Sequence, residues 1–135
     1  GIEILEDKSV CINEELTLIG RADKEGFADR KNLKSLMREV NSDTYTLLLD
    51  HIPGDYKNCK KYNIDFQLSG HTHNGQVFPL NFFLKFVNEE GFLYGYKDHK
   101  NSDFISIISA GVGGWQMPIK NTAPAEYLIV EIKSN

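Results

Sequence analysis

Ile64-Asp65-Phe66-Gln67-Leu68-Ser69-Gly70-His71-Thr72-His73-Asn74-Gly75-Gln76 runs from an apolar, strand-like segment into two histidines set two apart, with a glycine on either side. An earlier segment, Thr46-Leu47-Leu48-Leu49-Asp50-His51, ends in a third histidine. Imidazole is the commonest nitrogen ligand for zinc, iron and similar ions, and strand ends are where such ligands are delivered. In extended backbone, residues i and i+2 project to the same side, so His71 and His73 are expected to converge. Gly70 and Gly75 mark backbone that turns tightly or is approached closely, which counts against a plain surface loop.

Gly70-His71-Thr72-His73 resembles the closing motif of the calcineurin-like metallophosphoesterases. The longer string Leu68 to Pro79 is similar to the bacterial branch typified by the YkuE-type phosphoesterases. Leu47 to Pro53 resembles that family's strand ending in a lone metal histidine. Ser109 to Pro118 and Pro124 to Ile132 resemble its glycine-rich turn and last strand. Asn74 stands where many relatives carry a second glycine, a mild change because asparagine tolerates left-handed backbone.

The first three of the family's five blocks are absent. There is no Asp-x-His pair and no Gly-Asn-His block, and the one Gly-Asp dipeptide, Gly54-Asp55, follows His51 instead of preceding it. The resemblance thus implies the C-terminal portion of a longer enzyme, one α/β domain over residues 1–135. Its architecture would be the C-terminal half of the family's β-sandwich, a mixed sheet with flanking helices.

The resemblance also implies roles. His51 and His71 would bind one metal and His73 the other, in a centre of two divalent ions (Mn, Fe or Zn) about 3.5–4 Å apart that hydrolyses phosphomonoesters or phosphodiesters. The bridging carboxylate is not visible. Asp50, Asp55 and Asp65 are candidates by proximity alone, with Asp55 read as a helix cap and Asp50 and Asp65 as structural residues or supports behind the metal ligands. The fragment by itself is expected to hold at most one ion weakly and to be inactive, with the N-terminal half of the same protein as its natural partner. The competing reading is a non-catalytic module holding one metal through His51, His71 and His73. Structural zinc sites usually close four ligands with cysteines, which favours the enzyme.

Composition agrees with ordinary globular protein. The chain has 135 residues, 41% of them hydrophobic and 25% charged, which suits one modest core and excludes disordered and fibrous classes. A net charge of −4 argues against a reader of nucleic-acid duplexes, which carries a basic face. Lys57, Lys60 and Lys61 read as a solvated helix face. Cys11 and Cys59 are too few and too far apart for a disulfide scaffold or a Cys-x-x-Cys site. The longest apolar run, Val77 to Val87, is broken by Pro79, Asn81 and Lys85 and is too short for a bilayer span of about 20 residues. A cytoplasmic or peripheral, membrane-anchored location is the expectation.

Along the chain, Ile2 to Leu5, Val10 to Asn13 and Leu16 to Gly20 predict three short strands in an edge meander. Asp29 to Val40 predicts a helix capped by Asp29, Tyr45 to Leu49 a buried strand, Asp55 to Tyr62 a short helix and Ile64 to Leu68 a strand. Phe78 to Val87 reads as a loop with a helical turn. Its aromatics Phe82, Phe83 and Phe86 are expected in the core, the alternative being that they form a membrane- or partner-facing patch with Val87. Phe92 to Tyr96, Phe104 to Ala110 and Tyr127 to Ile132 predict the remaining strands. His51 and His71 then follow the C-terminal ends of buried strands, where ligands gather in open α/β sheets. In Gly111-Val112-Gly113-Gly114, Gly113 and Gly114 are candidates for backbone contact to a phosphate oxygen, as against a mere tight turn. His99, in a polar hairpin with no converging partner, is left out of the site. An apolar face uncovered by the missing half is expected to drive self-association.

Overall fold

The computed structural model describes residues 1–26 and 29–133. Six strands form one mixed sheet in the order β1-β2-β3-β4-β6-β5. They are β1 (Lys8–Ile12), β2 (Leu16–Gly20), β3 (Tyr45–Leu49), β4 (Phe66–Ser69), β5 (Gly95–Asp98) and β6 (Ile105–Ile108). The four central strands β2, β3, β4 and β6 are mutually parallel, and β1 and β5 run antiparallel at the two edges. The α/β class and the mixed sheet expected from sequence are both present.

The β2–β3 connection carries α1 (Leu33–Leu36), and the β3–β4 connection carries α2 (Tyr56–Lys61). Both crossovers step in the same direction along the sheet. Because parallel crossovers are right-handed, helices on successive steps in one direction fall on the same face. Ile19 and Leu48 point into that face and join Leu33, Leu36, Tyr56, Cys59, Ile64 and Phe104 in the main buried cluster. Burial there pushes the Cys59 thiol up to about 12, so it is an inert core residue. The opposite face carries Leu18, Leu47, Leu49, Leu68, Ile105 and Ile107 by register, and no helix of that crossover series covers it. Tyr45 and Leu49 are exposed on it.

Several sequence expectations are corrected. Ile2 to Leu5 forms no strand; it lies against Gly20, where an added Cβ would collide with the Leu5 backbone. β2 is not an edge strand but continues into the parallel core. Asn32, not Asp29, caps α1: its side chain accepts from Ser35 N at 3.0 Å. The helix is only one turn long and passes into a 3-10 turn at Met37–Glu39. Phe82, Phe83 and Phe86, expected in the core, are exposed, and α3 (Leu80–Leu84), which carries the first two, buries no residue at all.

Asp55 occupies the position before α2, but its carboxylate makes no cap to that helix's backbone. One oxygen accepts instead from Arg21 and the other from the Asn58 amide.

Tyr127 to Ile132 forms no strand. Val130 and Ile132 line a cavity with Tyr45, Phe66, Ile105 and Ile107, so the segment crosses the sheet face and joins no edge. Alternation of apolar residues fits either arrangement; a strand also needs a hydrogen-bonded neighbour.

Candidate functional site

Parallel strands bring their C-terminal ends to one side, and here those ends carry the chemistry. β2 ends before Arg21, β3 before Asp50 and His51, β4 before Gly70 to His73, and β6 before Ser109 to Gly111. Backbone pairing continues past the strands: Asp50 N donates to Leu68 O at 3.2 Å and Gly70 N to His51 O at 3.0 Å. That pairing sets His51 beside His71. Their rings meet edge to face, with centroids 5.2 Å apart and planes at 84°.

The backbone reason given from sequence for convergence does not hold. β4 stops at Ser69, and His71 (φ 65°), His73 (φ 47°) and Asn74 (φ 51°) are all left-handed, so the motif is a tight turn and not extended chain. Asn74 takes up the left-handed position its replacement of glycine suggested. Gly75 is required outright: its φ is +74°, and a Cβ there would stand 2.6 Å from Asn81 Cβ, inside contact distance.

His73 is oriented by a carbonyl. Its Nδ1 lies 3.0 Å from Ala110 O. A carbonyl only accepts, so Nδ1 carries a proton, and in the neutral ring the lone pair is then on Nε2. Ala110 O is also held by Lys120 Nζ at 2.7 Å. Thr72 Oγ1 donates to Leu93 O at 2.6 Å, and Asn74 Nδ2 donates to Thr122 O at 2.7 Å, so the turn is laced to its surroundings on both sides.

None of the three aspartates proposed by proximity is available as a bridging ligand. Asp50 is buried and held by two arginines, Arg21 Nη1 at 3.1 Å and Arg30 Nη1 at 3.0 Å. Asp55 shares Arg21 at 3.1 Å. Asp65 precedes β4 at the opposite end of the sheet and accepts from Thr46 N at 2.6 Å. The carboxylate near the imidazoles is Glu25, whose Oε1 lies 3.8 Å from His71 Nε2. Among the described residues, no three His, Cys, Asp or Glu side chains stand together as a ready metal cage.

A shallow cleft of about 500 Å³ opens over these strand ends, lined by Arg21, Asp50, His51, Gly70 and, from the N-terminal segment, Glu3 and Leu5. Sequence reasoning missed Arg21 and Arg30; each stands in a polar stretch with no motif to single it out. It also missed Gln76. This buried side chain accepts from Trp115 N and donates to Trp115 O (2.8 Å) and Met117 O (3.2 Å), clamping the glycine-rich loop to the histidine turn. Gly114 lies against Gln76, whereas a Cβ on Gly113 would meet no atom within 4 Å.

His99 needs the opposite correction: it does have converging partners. It is buried between the rings of Tyr56 and Phe104, each at 4.6 Å, and its Nε2 is 2.8 Å from Ser106 Oγ. Its Nδ1 is 3.1 Å from Glu90 Oε2 but off the line of a straight hydrogen bond. Ser106 is buried as well, so this cluster is structural.

Imidazoles at the C-terminal ends of parallel strands stand where an open α/β sheet gathers its ligands. Comparison with known proteins identifies the family. The chain is 31% identical, over 98% of its length and 51% of the relative's, to an uncharacterized metallophosphoesterase of Aquifex aeolicus. It is 33% identical, over 70% of its length and 25% of the relative's, to one of Helicobacter pylori. To the uncharacterized metallophosphoesterase YkuE of Bacillus subtilis it is 25% identical, over 87% of its length and 38% of the relative's. The chain belongs to the metallophosphoesterase family. It spans between a quarter and about half the length of these curated relatives. No family model matches it. No solved structure matches it.

Proposed function

We propose that residues 1–135 form the C-terminal part of one phosphoesterase domain with a dinuclear metal centre, in which His51 and His71 hold one divalent ion and His73 the other. The observation that carries this reading is the edge-to-face meeting of His51 and His71 at 5.2 Å, with His73 turned separately onto Ala110 O. A pair and a single imidazole suit two ions better than one. The imidazoles fit such a centre: nitrogen donors favour Mn, Fe or Zn over Mg or Ca. Asp50 and Asp55 do not complete it, because both are taken by arginines, and Glu25, 3.8 Å from His71 Nε2, is set beside that one ring. The bridging ligand would therefore come from sequence outside this chain.

When bound, the ions would polarise a phosphoryl oxygen and supply hydroxide for in-line attack on a phosphomonoester or phosphodiester. The chain's own part is to orient the imidazoles. His73 keeps its proton at Nδ1, and the Asp50 ion pairs fix the backbone from which His51 projects. Gly113, with open space where a Cβ would stand, and the adjoining Gly114 are assigned to approach of a substrate oxygen. The N-terminal portion of the protein would cover the open sheet face. Without it the chain would self-associate, to be read as concentration-dependent sedimentation. A cytoplasmic or membrane-peripheral setting fits the whole protein. The alternative of one metal held by all three histidines has less support, because no such trio stands together among the described residues.

The test is turnover of p-nitrophenyl phosphate and its bis-ester with manganese, by this chain and by the same chain with its natural upstream sequence. Turnover by the longer form only, abolished in His73→Ala, is expected. Equal rates in both forms with His73→Ala unaffected would refute the assignment.

A further inference from the structure

We infer that Lys120 and Glu126 are positioning residues for His73, acting through the backbone of Ala110, which both of them hold. β6 pairs with β4 as far as Ser109, whose N donates to Ser69 O at 2.9 Å, and Gly111 then turns away in left-handed backbone (φ 69°). Ala110 stands between them, 1% exposed, so its N–H and C=O must find partners inside the protein. Side chains supply them, not a strand. Ala110 N donates to Glu126 Oε1 at 2.9 Å. Ala110 O accepts from Lys120 Nζ at 2.7 Å and lies 3.0 Å from His73 Nδ1. A carbonyl oxygen has two lone pairs, and both are thereby taken.

Opposite charges grip the two sides of this residue. The bond from Ala110 N, and after it the one from the Tyr94 hydroxyl, hold the Glu126 carboxyl below the usual glutamate range, so it is ionised. Tyr94 OH donates to its Oε2 at 2.7 Å, and Ser109 Oγ donates to Oε1 at 3.2 Å. Lys120 Nζ makes a second bond, to Gly111 O at 2.8 Å, and that carbonyl also accepts from Glu126 N at 3.1 Å. Hydrogen bonds to ionised partners are roughly twice as strong as neutral ones. Lys120 and Glu126 therefore set where the Ala110 carbonyl points, and the neutral imidazole follows it.

The same segment reaches the histidine turn directly. Asn74 Nδ2 donates to Thr122 O at 2.7 Å, and Asn121 N donates to Gln76 O at 2.9 Å. Residues 120–126 thus fix both the turn that carries His73 and the acceptor its ring must meet. His51 and His71 are set differently, by the backbone pairing of Gly70 N with His51 O. A change at Lys120 or Glu126 should reach His73 and leave that pair alone. The consequence for metal rests on the reading of His73 as ligand to the second ion.

The experiment is long-range proton–nitrogen correlation of the histidine rings in the metal-free chain, at a pH well above the ordinary imidazole range. His73 in the parent is expected as a single Nδ1–H tautomer. Lys120→Met and Glu126→Ala should each turn it into a mixture with the Nε2–H form, while the His51 and His71 signals stay in place. Lys120→Arg keeps a cationic donor and Glu126→Gln keeps an acceptor for Ala110 N, so both should retain the parent tautomer. Glu126→Ala reaches Ala110 from the other side, so the result does not hang on Lys120→Met folding. With the natural upstream sequence present, Lys120→Met should weaken manganese binding at the His73 site about tenfold or more and spare the His51–His71 site. The spectrum needs no metal, so it decides the positioning even where the metal assignment of His73 fails. A pure Nδ1–H His73 in both Lys120→Met and Glu126→Ala would overturn the proposal. So would equal changes at all three histidines, since Lys120 and Glu126 would then serve the fold as a whole.

Discussion

Arg21 donates from Nη1 to Asp50 Oδ2 at 3.1 Å, and the two side chains are 6% and 1% exposed. A buried ion pair is not itself a large source of stability, because desolvating both groups costs about what their attraction returns. Breaking it is another matter, since the surviving charge stays buried. Arg21→Ala should therefore destabilise the fold by about 3 kcal/mol, the lower end for a broken buried pair, because Arg30 still holds Asp50. Urea titration followed by circular dichroism measures this. A change below about 1 kcal/mol, the range of exposed pairs, would show that the cluster is solvated in solution.

Gln76 predicts a local effect. Its side chain makes three hydrogen bonds to Trp115 and Met117, and both its amide nitrogen and oxygen are used. Gln76→Ala should cost about 2 kcal/mol at roughly 0.5–1.5 per bond, with some bonds replaced by water. The loss should be concentrated in the loop: amide exchange at Trp115 should accelerate far more than exchange in β3 or β4. Uniform acceleration across the sheet would mean that the clamp acts on the whole fold.

Those two residues also mark where sequence stops being informative. β3, α2, β4 and β6 were legible to within a residue or two because periodicity and breakers act locally. The closeness of His51 and His71 was legible because each follows a strand in a parallel sheet. The arginine clamp on Asp50 was not, since Arg21 and Arg30 reach it only through tertiary packing. His99 was misjudged for the same reason: a polar hairpin by composition is driven inward by Tyr56 and Phe104. Phe82, Phe83 and Phe86 failed in the other direction, because an apolar residue carries no signal of whether anything remains to cover it. The segment Tyr127 to Ile132 shows that alternation alone does not supply a neighbouring strand.

His99 gives a pH dependence. Burial holds its imidazole below the usual 6.5, an effect only partly offset by Glu90, with Lys97 and Lys60 nearby adding to the depression. The unfolded chain therefore binds a proton that the folded chain resists. Stability from this residue is fully present above about pH 6.5 and is lost as pH falls from there through the lower folded value. Glu90 is depressed chiefly by its hydrogen bond to Lys97, so its contribution is lost lower, as pH falls below the ordinary glutamate range. Thermal melts should decline between neutrality and mild acid, and His99→Phe should flatten that first step. A parent melting temperature constant across it would contradict the buried, neutral imidazole.

The histidines themselves yield the sharpest distinction between one shared ion and two. If His51 and His71 hold the same ion, removing either costs most of that site's affinity, and removing both adds little. Residues acting on one ligand are strongly non-additive, whereas independent sites add. His73 belongs to the second ion on this reading, and its Nε2 lone pair is set by Ala110 O through Nδ1. Manganese binding to the chain, followed by electron paramagnetic resonance of the free ion, should weaken about tenfold or more in His51→Ala and in His71→Ala. The double variant should lie close to either single one. His73→Ala should leave that first site nearly intact in this chain, and should matter for metal content only when the natural upstream sequence is present. Equal losses from all three single variants, with no further loss in any double variant, would favour one ion held by three imidazoles and remove the basis for the dinuclear assignment.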